Sequence, residues 1–257
     1  MLEPLLISYI SPRFQEDERY RQGHIRIINL LPGVEILGLH IPDMRKIAGE
    51  IVKEGYSISL IQYFESTQKK DPRSRLLYEE KIIWGMLLNR IPYSLEERLE
   101  AFNMFIPAID NWAVCDTICS DAKWCTKDKE TTWKFLQPYF KSKKEFEVRF
   151  ALVMSLSHFL TNDYIDLVFE KITLLEYNKI ASDYEFVKSP SQNCGQVLGP
   201  VPYYVNMAVA WLMATALYKF PEKTRTFARS GILPDNIIRL YVRKAKESFR
   251  TKNVSAL

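Results

Sequence analysis

The sequence predicts an all-α chain. Glycine is scarce, at 9 in 257 residues, and several of the nine fall between periodic segments. Apolar residues recur at steps of three and four along most of the chain, which stacks them on one face of successive helices. No run alternates apolar and polar residues between turn signals, so strands are not expected. Antiparallel helix pairs recur at about 30–45 residues, the size of HEAT-like units. The expected architecture is a curved α-solenoid of stacked pairs, one domain over residues 1–257.

The elements follow in order. The start, MLEPLLISYISPRFQEDERY, has an apolar patch but no basic leader and no small-residue cleavage site, so it reads as a first helix. Ile41 to Glu54 has Pro42 early, apolar Met44, Ile47 and Ile51 in phase, and Gly55 as a stop. Ser74 to Arg90 carries Leu77, Ile83 and Leu87. Ser94 and Glu97 form a capping box that opens the next helix, and Pro107 ends or kinks it. Asn111 to Lys123 and Lys129 to Phe140 come next. Ser142 with Glu145 reads as a second capping box, ahead of a stripe of Phe146, Arg149, Val153, Leu156 and Leu160. Tyr164 to Tyr177, Tyr203 to Lys219, Glu222 to Arg229 and Pro234 to Phe249 complete the set.

One segment breaks the rhythm. Ser182 to Pro202 holds three prolines and two glycines and reads as an irregular insertion. It is either a lid or partner-binding element, or a tolerated surface insertion.

Composition is that of an ordinary globular chain, 47% hydrophobic and 26% charged. The net charge of +4 permits a nucleic-acid partner without demanding one. No apolar run reaches the roughly 20 residues of a membrane span, and no membrane partner is expected. Cys115, Cys119 and Cys125 cluster, with Cys194 apart. Three local cysteines make an odd number for disulfides, so a reduced compartment is expected: the cytoplasm, or the nucleus in a eukaryote. Their spacing fits no common zinc pattern, and the three histidines, His24, His40 and His158, lie elsewhere. Buried free thiols, no metal and no cofactor are expected. Nucleophile-elbow, phosphate-loop and dinucleotide glycine motifs are all absent.

Three groups of residues remain as candidates for chemistry. Arg149 lies in an apolar stripe, cannot shed its proton, and needs a carboxylate, a row of carbonyls or a bound anion opposite. Trp112 and Asp116 are four apart, on one helix face. An indole beside a carboxylate suits a cationic guest; a core tryptophan with a capping or salt-bridged aspartate gives the same pattern. Tyr204, Ala208, Trp211, Thr215 and Tyr218 share a face that is wetter than a core stripe, suited to stacking on sugars or bases or simply to the rim of an amphipathic helix. Lys69, Lys70, Arg73 and Arg75, and then Lys141, Lys143 and Lys144, form basic runs near helix ends, where solvent or a phosphate backbone can face them.

Taken together, these stretches resemble the AlkD-like family of DNA alkylation-repair proteins. The matching text is ILGLHIPDMRKIAGEI (Ile36 to Ile51), IDNWAVCDTIC (Ile109 to Cys119), FEVRFALVM (Phe146 to Met154) and YYVNMAVAWLMATALYKFPEKT (Tyr203 to Thr224). The resemblance implies a stack of HEAT-like pairs with a basic DNA-binding face. It implies a glycosylase that removes cationic alkylpurines such as 7-methylguanine and 3-methyladenine from duplex DNA. It implies Asp116 as the catalytic carboxylate, with Trp112 and Trp211 flanking the damaged nucleotide. It implies that Arg149 contacts DNA beside the lesion; from the basic run and the wet helix face, Lys143, Lys144 and Tyr204 are expected as further DNA contacts, and the protein is expected to be a monomer. The sequence departs from some active members in offering no tyrosine in His24 to Asn29. Two other readings stand beside this one: a non-catalytic HEAT-like binder of distorted or branched DNA, and an α-solenoid scaffold for protein partners.

Overall fold

The structure is a computed structural model that describes residues 2–70, 76–184 and 202–257. Among these residues there are fourteen α-helices and no strand, only an isolated bridge between Lys144 and Ala181. The chain divides into two compact units, Met1–Trp124 and Cys125–Leu257. Most of the expected insertion, and with it Cys194, lies outside the described residues, as do Arg73 and Arg75 of the first basic run.

The first unit holds α1 (Glu3–Ile7), α2 (Pro12–Glu16), α3 (Glu18–Ile28), α4 (Ile41–Glu54), α5 (Ser57–Lys70), α6 (Tyr78–Arg90), α7 (Leu95–Phe105) and α8 (Trp112–Asp121). Proline fragments the expected first helix: Ser11 caps α2 and Pro12 starts it, and Asp17 caps α3. α4 ends as expected. Gly55 has a left-handed φ of 82°, and Tyr56 N–H donates back to the Ile51 carbonyl at 3.2 Å. The Ser94–Glu97 capping box forms, and α7 gives way to a short 3-10 turn at Ile106–Ala108, where Pro107 falls.

α6 is the axis of this unit, and α4, α5, α7 and α8 pack around it. The sequence reading gave it one apolar side. In fact every residue from Tyr78 to Leu88 is buried, including Glu79, Glu80 and Lys81. Each buried charge is answered. Glu79 accepts backbone N–H groups from Leu37, Gly38 and Leu39 at 3.0, 2.8 and 3.2 Å, and Glu80 accepts from its own helix start at Leu77. Arg98 closes the other end of α6 by donating to the carbonyls of Leu88 and Ile91. Helix-end carbonyls lack partners within their own helix, so a buried end needs such a donor.

The second unit holds α9 (Lys129–Phe140), α10 (Glu145–Met154), α11 (Ile165–Thr173), α12 (Tyr203–Lys219), α13 (Pro221–Arg229) and α14 (Asp235–Glu247). α12 packs on α10, α13 and α14. α10 runs into a π-helical turn at Ser155–Phe159. That wider turn breaks the three-and-four phase on which the expected stripe depended. Beyond half-exposed Glu147 the helix is also buried all round: Val148, Phe150, Ala151, Leu152 and Met154 are as enclosed as Val153.

The second expected capping box does not form. Ser142 Oγ donates to Glu147, and α10 starts at Lys144 with no side-chain cap. Glu145 has been recruited elsewhere: it accepts the Tyr204 N–H at 2.5 Å and so caps the first turn of α12.

Candidate active site

The site residues are positioned by two separate pieces of local architecture, one in each unit. In the first unit, α8 is the platform. Asn111 is fully buried and serves as its N-cap, accepting the Val114 N–H at 3.0 Å through Oδ1. The Asn111 amide nitrogen donates to Asp110 at 2.9 Å, and Asp110 is paired with Lys81 of α6 at 2.5 Å. Lys81 is 2% exposed, so this pair ties the start of α8 to the axis of the unit. Further along, Gly85 of α6 lets α8 come close: a Cβ there would lie 2.5 Å from the Ile118 side chain. At its far end, Asp121 accepts a two-point contact from Arg45 of α4, at 2.9 and 3.2 Å.

Thus anchored, α8 turns Ala113, Val114, Cys115, Ile118 and Cys119 inward. Trp112 and Asp116 stay half-exposed, and Ser120, one further turn along, is exposed. Trp112 Nε1 donates to the Ile27 carbonyl at 3.2 Å, one of the free carbonyls at the end of α3. Its indole is therefore held by one edge. The carboxylate and the indole share one half-exposed strip of α8.

In the second unit, Arg149 is 4% exposed. It donates to the Tyr204 carbonyl at 2.6 Å, and its guanidinium lies 5.8 Å from the centre of the Tyr204 ring. Glu145, one turn earlier on α10, is the neighbouring carboxylate. Burial pushes the Glu145 carboxyl above its ordinary range, while donors from Ser182, Tyr204 and Val205 and the charge of Arg149 pull it back. Two of the three kinds of partner that the sequence demanded for Arg149, a carboxylate and a carbonyl, are thus supplied by the fold itself.

Tyr204 is buried among Phe146, Tyr184 and Tyr203. Along the same face of α12, Trp211 and Thr215 are half-exposed and Tyr218 is exposed. The expected face is thus buried at Tyr204 and Ala208, and the open strip of α12 runs instead through exposed Tyr203 and half-exposed Met207 to Trp211, Thr215 and Tyr218. Lys143 and Lys144 are both exposed, Lys144 pairing with Glu147 at 3.1 Å.

Cys115, Cys119 and Cys125 are buried free thiols. Burial pushes the Cys125 thiol up to about 12, so it carries no reactive thiolate. Among the described residues, no group of three or more metal-ligating side chains comes together, and no helix is long and apolar enough to cross a membrane.

The sequence reading missed Lys81, Asp110 and Asn111, the residues that place α8. Asn111 just ahead of a helical run was a readable capping signal; the Lys81–Asp110 pairing spans 29 residues and left no local trace.

The class these features define is an all-helical protein with an indole and a carboxylate on one half-exposed helix strip. Residues 15–189 match the DNA alkylation repair enzyme family, and the chain belongs to that family. No curated protein and no solved structure matches it. DNA is accordingly its partner, and repair of alkylation damage its role. Trp112, Asp116, Lys143, Lys144 and Arg149 fall inside the matched segment, whereas Tyr204 and Trp211 lie beyond it.

Proposed function

We propose that this protein is a monofunctional DNA glycosylase that hydrolyses the N-glycosidic bond of cationic N3- and N7-alkylated purines in duplex DNA. The observation that carries the reading is the shared strip of Trp112 and Asp116 on α8, half-exposed on a helix buried along its other side and anchored at both ends.

The chemistry suits these groups. An alkylated purine bearing a positive charge is a good leaving group without a general acid. When the C1′–N9 bond breaks, its electron pair goes to the purine, which departs neutral, and positive charge moves to the deoxyribose. A carboxylate against that sugar stabilises the charge and aligns a water molecule. The water oxygen bonds to C1′ and its proton is released to solvent. Fixed charges of this type are typically worth about 3 kcal/mol of barrier each. The Trp112 face adds attraction for the cation and excludes solvent. Trp211 takes the second flanking role in this reading, and Lys143 and Lys144 face the phosphate backbone. Arg149 contributes by holding the first turn of α12.

The test is release of 7-methylguanine from methylated duplex DNA by the purified protein. Asp116→Asn is expected to lower release by at least a hundred-fold with duplex binding nearly intact. Equal release by both proteins would remove Asp116 from catalysis. Binding without release by the wild type would instead make the protein a non-catalytic binder of distorted DNA.

A further inference from the structure

The positive excess of this chain is confined to its last helix and tail. The whole chain carries 35 basic and 31 acidic residues, net +4. Residues 235–257 alone carry six basic and two acidic residues, also net +4. Before residue 235 the two signs balance.

The placement of these cations is ordered. Arg239, Arg243 and Lys246 stand at i, i+4 and i+7 of α14 and are all exposed. That spacing aligns them on one face. The opposite face, Ile237, Tyr241 and Ala245, is buried. Arg250 continues the row into a tail that is tied down: Thr251 donates to the Ala245 carbonyl at 2.7 Å, and Tyr241 to the Ala256 carbonyl at 2.8 Å. Glu247 is the acidic neighbour, lying 3.5 Å from Arg243 and 2.8 Å from Lys244. The helix dipole accounts for Lys244 and Lys246 in the last turn but not for Arg239 and Arg243, which precede it.

This row borders the face that holds Trp211. Arg243 approaches the Met207 sulfur at 3.9 Å, and Arg250 lies over the Tyr218 ring at 5.3 Å. Met207, Trp211 and Tyr218 are at i, i+4 and i+11 on α12, so they share one side of that helix. Two arginines therefore flank the indole along its helix, each on a sulfur or aromatic neighbour.

We infer that the row Arg239, Arg243, Lys246 and Arg250 is a phosphate-binding track for the DNA backbone, built outside the segment that matches the repair family. It rests on the reading of the chain as a DNA repair protein and names a contact surface that the reading did not contain. A row of fixed cations releases condensed counterions from duplex DNA, and binding through it falls steeply with salt.

The test is the salt dependence of binding to unmodified duplex DNA by the full chain. R239Q/R243Q/K246Q is expected to lower the slope of log affinity against log salt by about 2 to 3, and affinity on the order of a hundred-fold at 0.1 M salt. R239K/R243K keeps the charges and is expected to keep the slope. An unchanged slope in the glutamine variant, with wild-type binding intact, overturns the track and leaves the repair reading standing. A lost slope in both variants marks these arginines as structural and also overturns it. Failure of the wild type to bind duplex DNA removes both. Loss of binding to phosphatidylserine vesicles with the DNA slope unchanged would assign the row to a membrane surface instead.

Discussion

α8 and α10 both carry residues assigned to the site, and they are built in opposite ways. α8 is buried on one side only. Its polar strip of Trp112, Asp116 and Ser120 faces outward, and its anchoring comes from residues at its two ends: Lys81, Asp110 and Asn111 at one, Arg45 and Asp121 at the other. α10 is buried all round except at Glu147, and the other two of its three charges, Glu145 and Arg149, are turned to holding the first turn of α12. A half-exposed polar side chain on an anchored helix can be reached from solvent. A buried one with internal partners is first of all part of the architecture. Asp116 and Arg149, equals in the sequence reading, therefore differ in what their removal should do.

The sharpest separation is Arg149→Ala. It leaves Glu145 buried without its cation and the Tyr204 carbonyl without its donor, and it should cost about 3 kcal/mol in denaturant unfolding. Asp116→Asn, at a half-exposed position and nearly isosteric, should cost less in the same measurement. If Arg149→Ala unfolds like the wild type but flattens the salt dependence of DNA binding, Arg149 belongs with the strip on α8 and the contrast between the two helices collapses.

Lys81→Ala comes next. Asp110, still partly hydrated, loses its buried partner, and about 2 kcal/mol should go. Because the pair sits at the start of α8, release of 7-methylguanine should fall as well, and Lys81→Arg should restore part of both. Loss of stability at full activity per folded molecule would show that α8 keeps its place without the pair.

The smallest effect is a dependence on pH. Burial raises the Glu145 carboxyl above its value in the unfolded chain, about 4.3. The folded state then holds that proton more tightly, so the contribution of Glu145 is greatest below that pH and is lost as the pH rises through the folded value. Measured against Glu145→Gln, which does not titrate, wild-type stability should decline from about pH 4 upward. A flat difference would show that Arg149 and the three donors fully offset burial.

The parts of the fold legible in the sequence were those set by neighbours in the chain. Gly55 stops α4 because only a left-handed residue closes that turn, and Ser94 with Glu97 forms its box within four residues. α3 and α5 were not separately recognised. α5 is rich in serine, threonine, isoleucine and tyrosine, weak helix formers that packing overrides. The Ser142–Glu145 box was misread because a carboxylate 59 residues from Tyr204 found a better donor there. Arg98, Glu79 and Lys81 went unseen for the same reason: their partners are distant carbonyls, amides and a carboxylate that no periodicity announces. For the site, the spacing of Trp112 and Asp116 was enough to pair them on one face, but their half-exposure depends on what covers the rest of α8.

The clamp of Glu145 and Arg149 on Tyr204 has a consequence for how this chain can vary. The place where α12 begins is held by side chains reaching over from α10. Side chains 55 and 59 residues away in sequence thereby set where the indole-bearing helix starts, so Trp211 keeps its place only while α10 keeps its own.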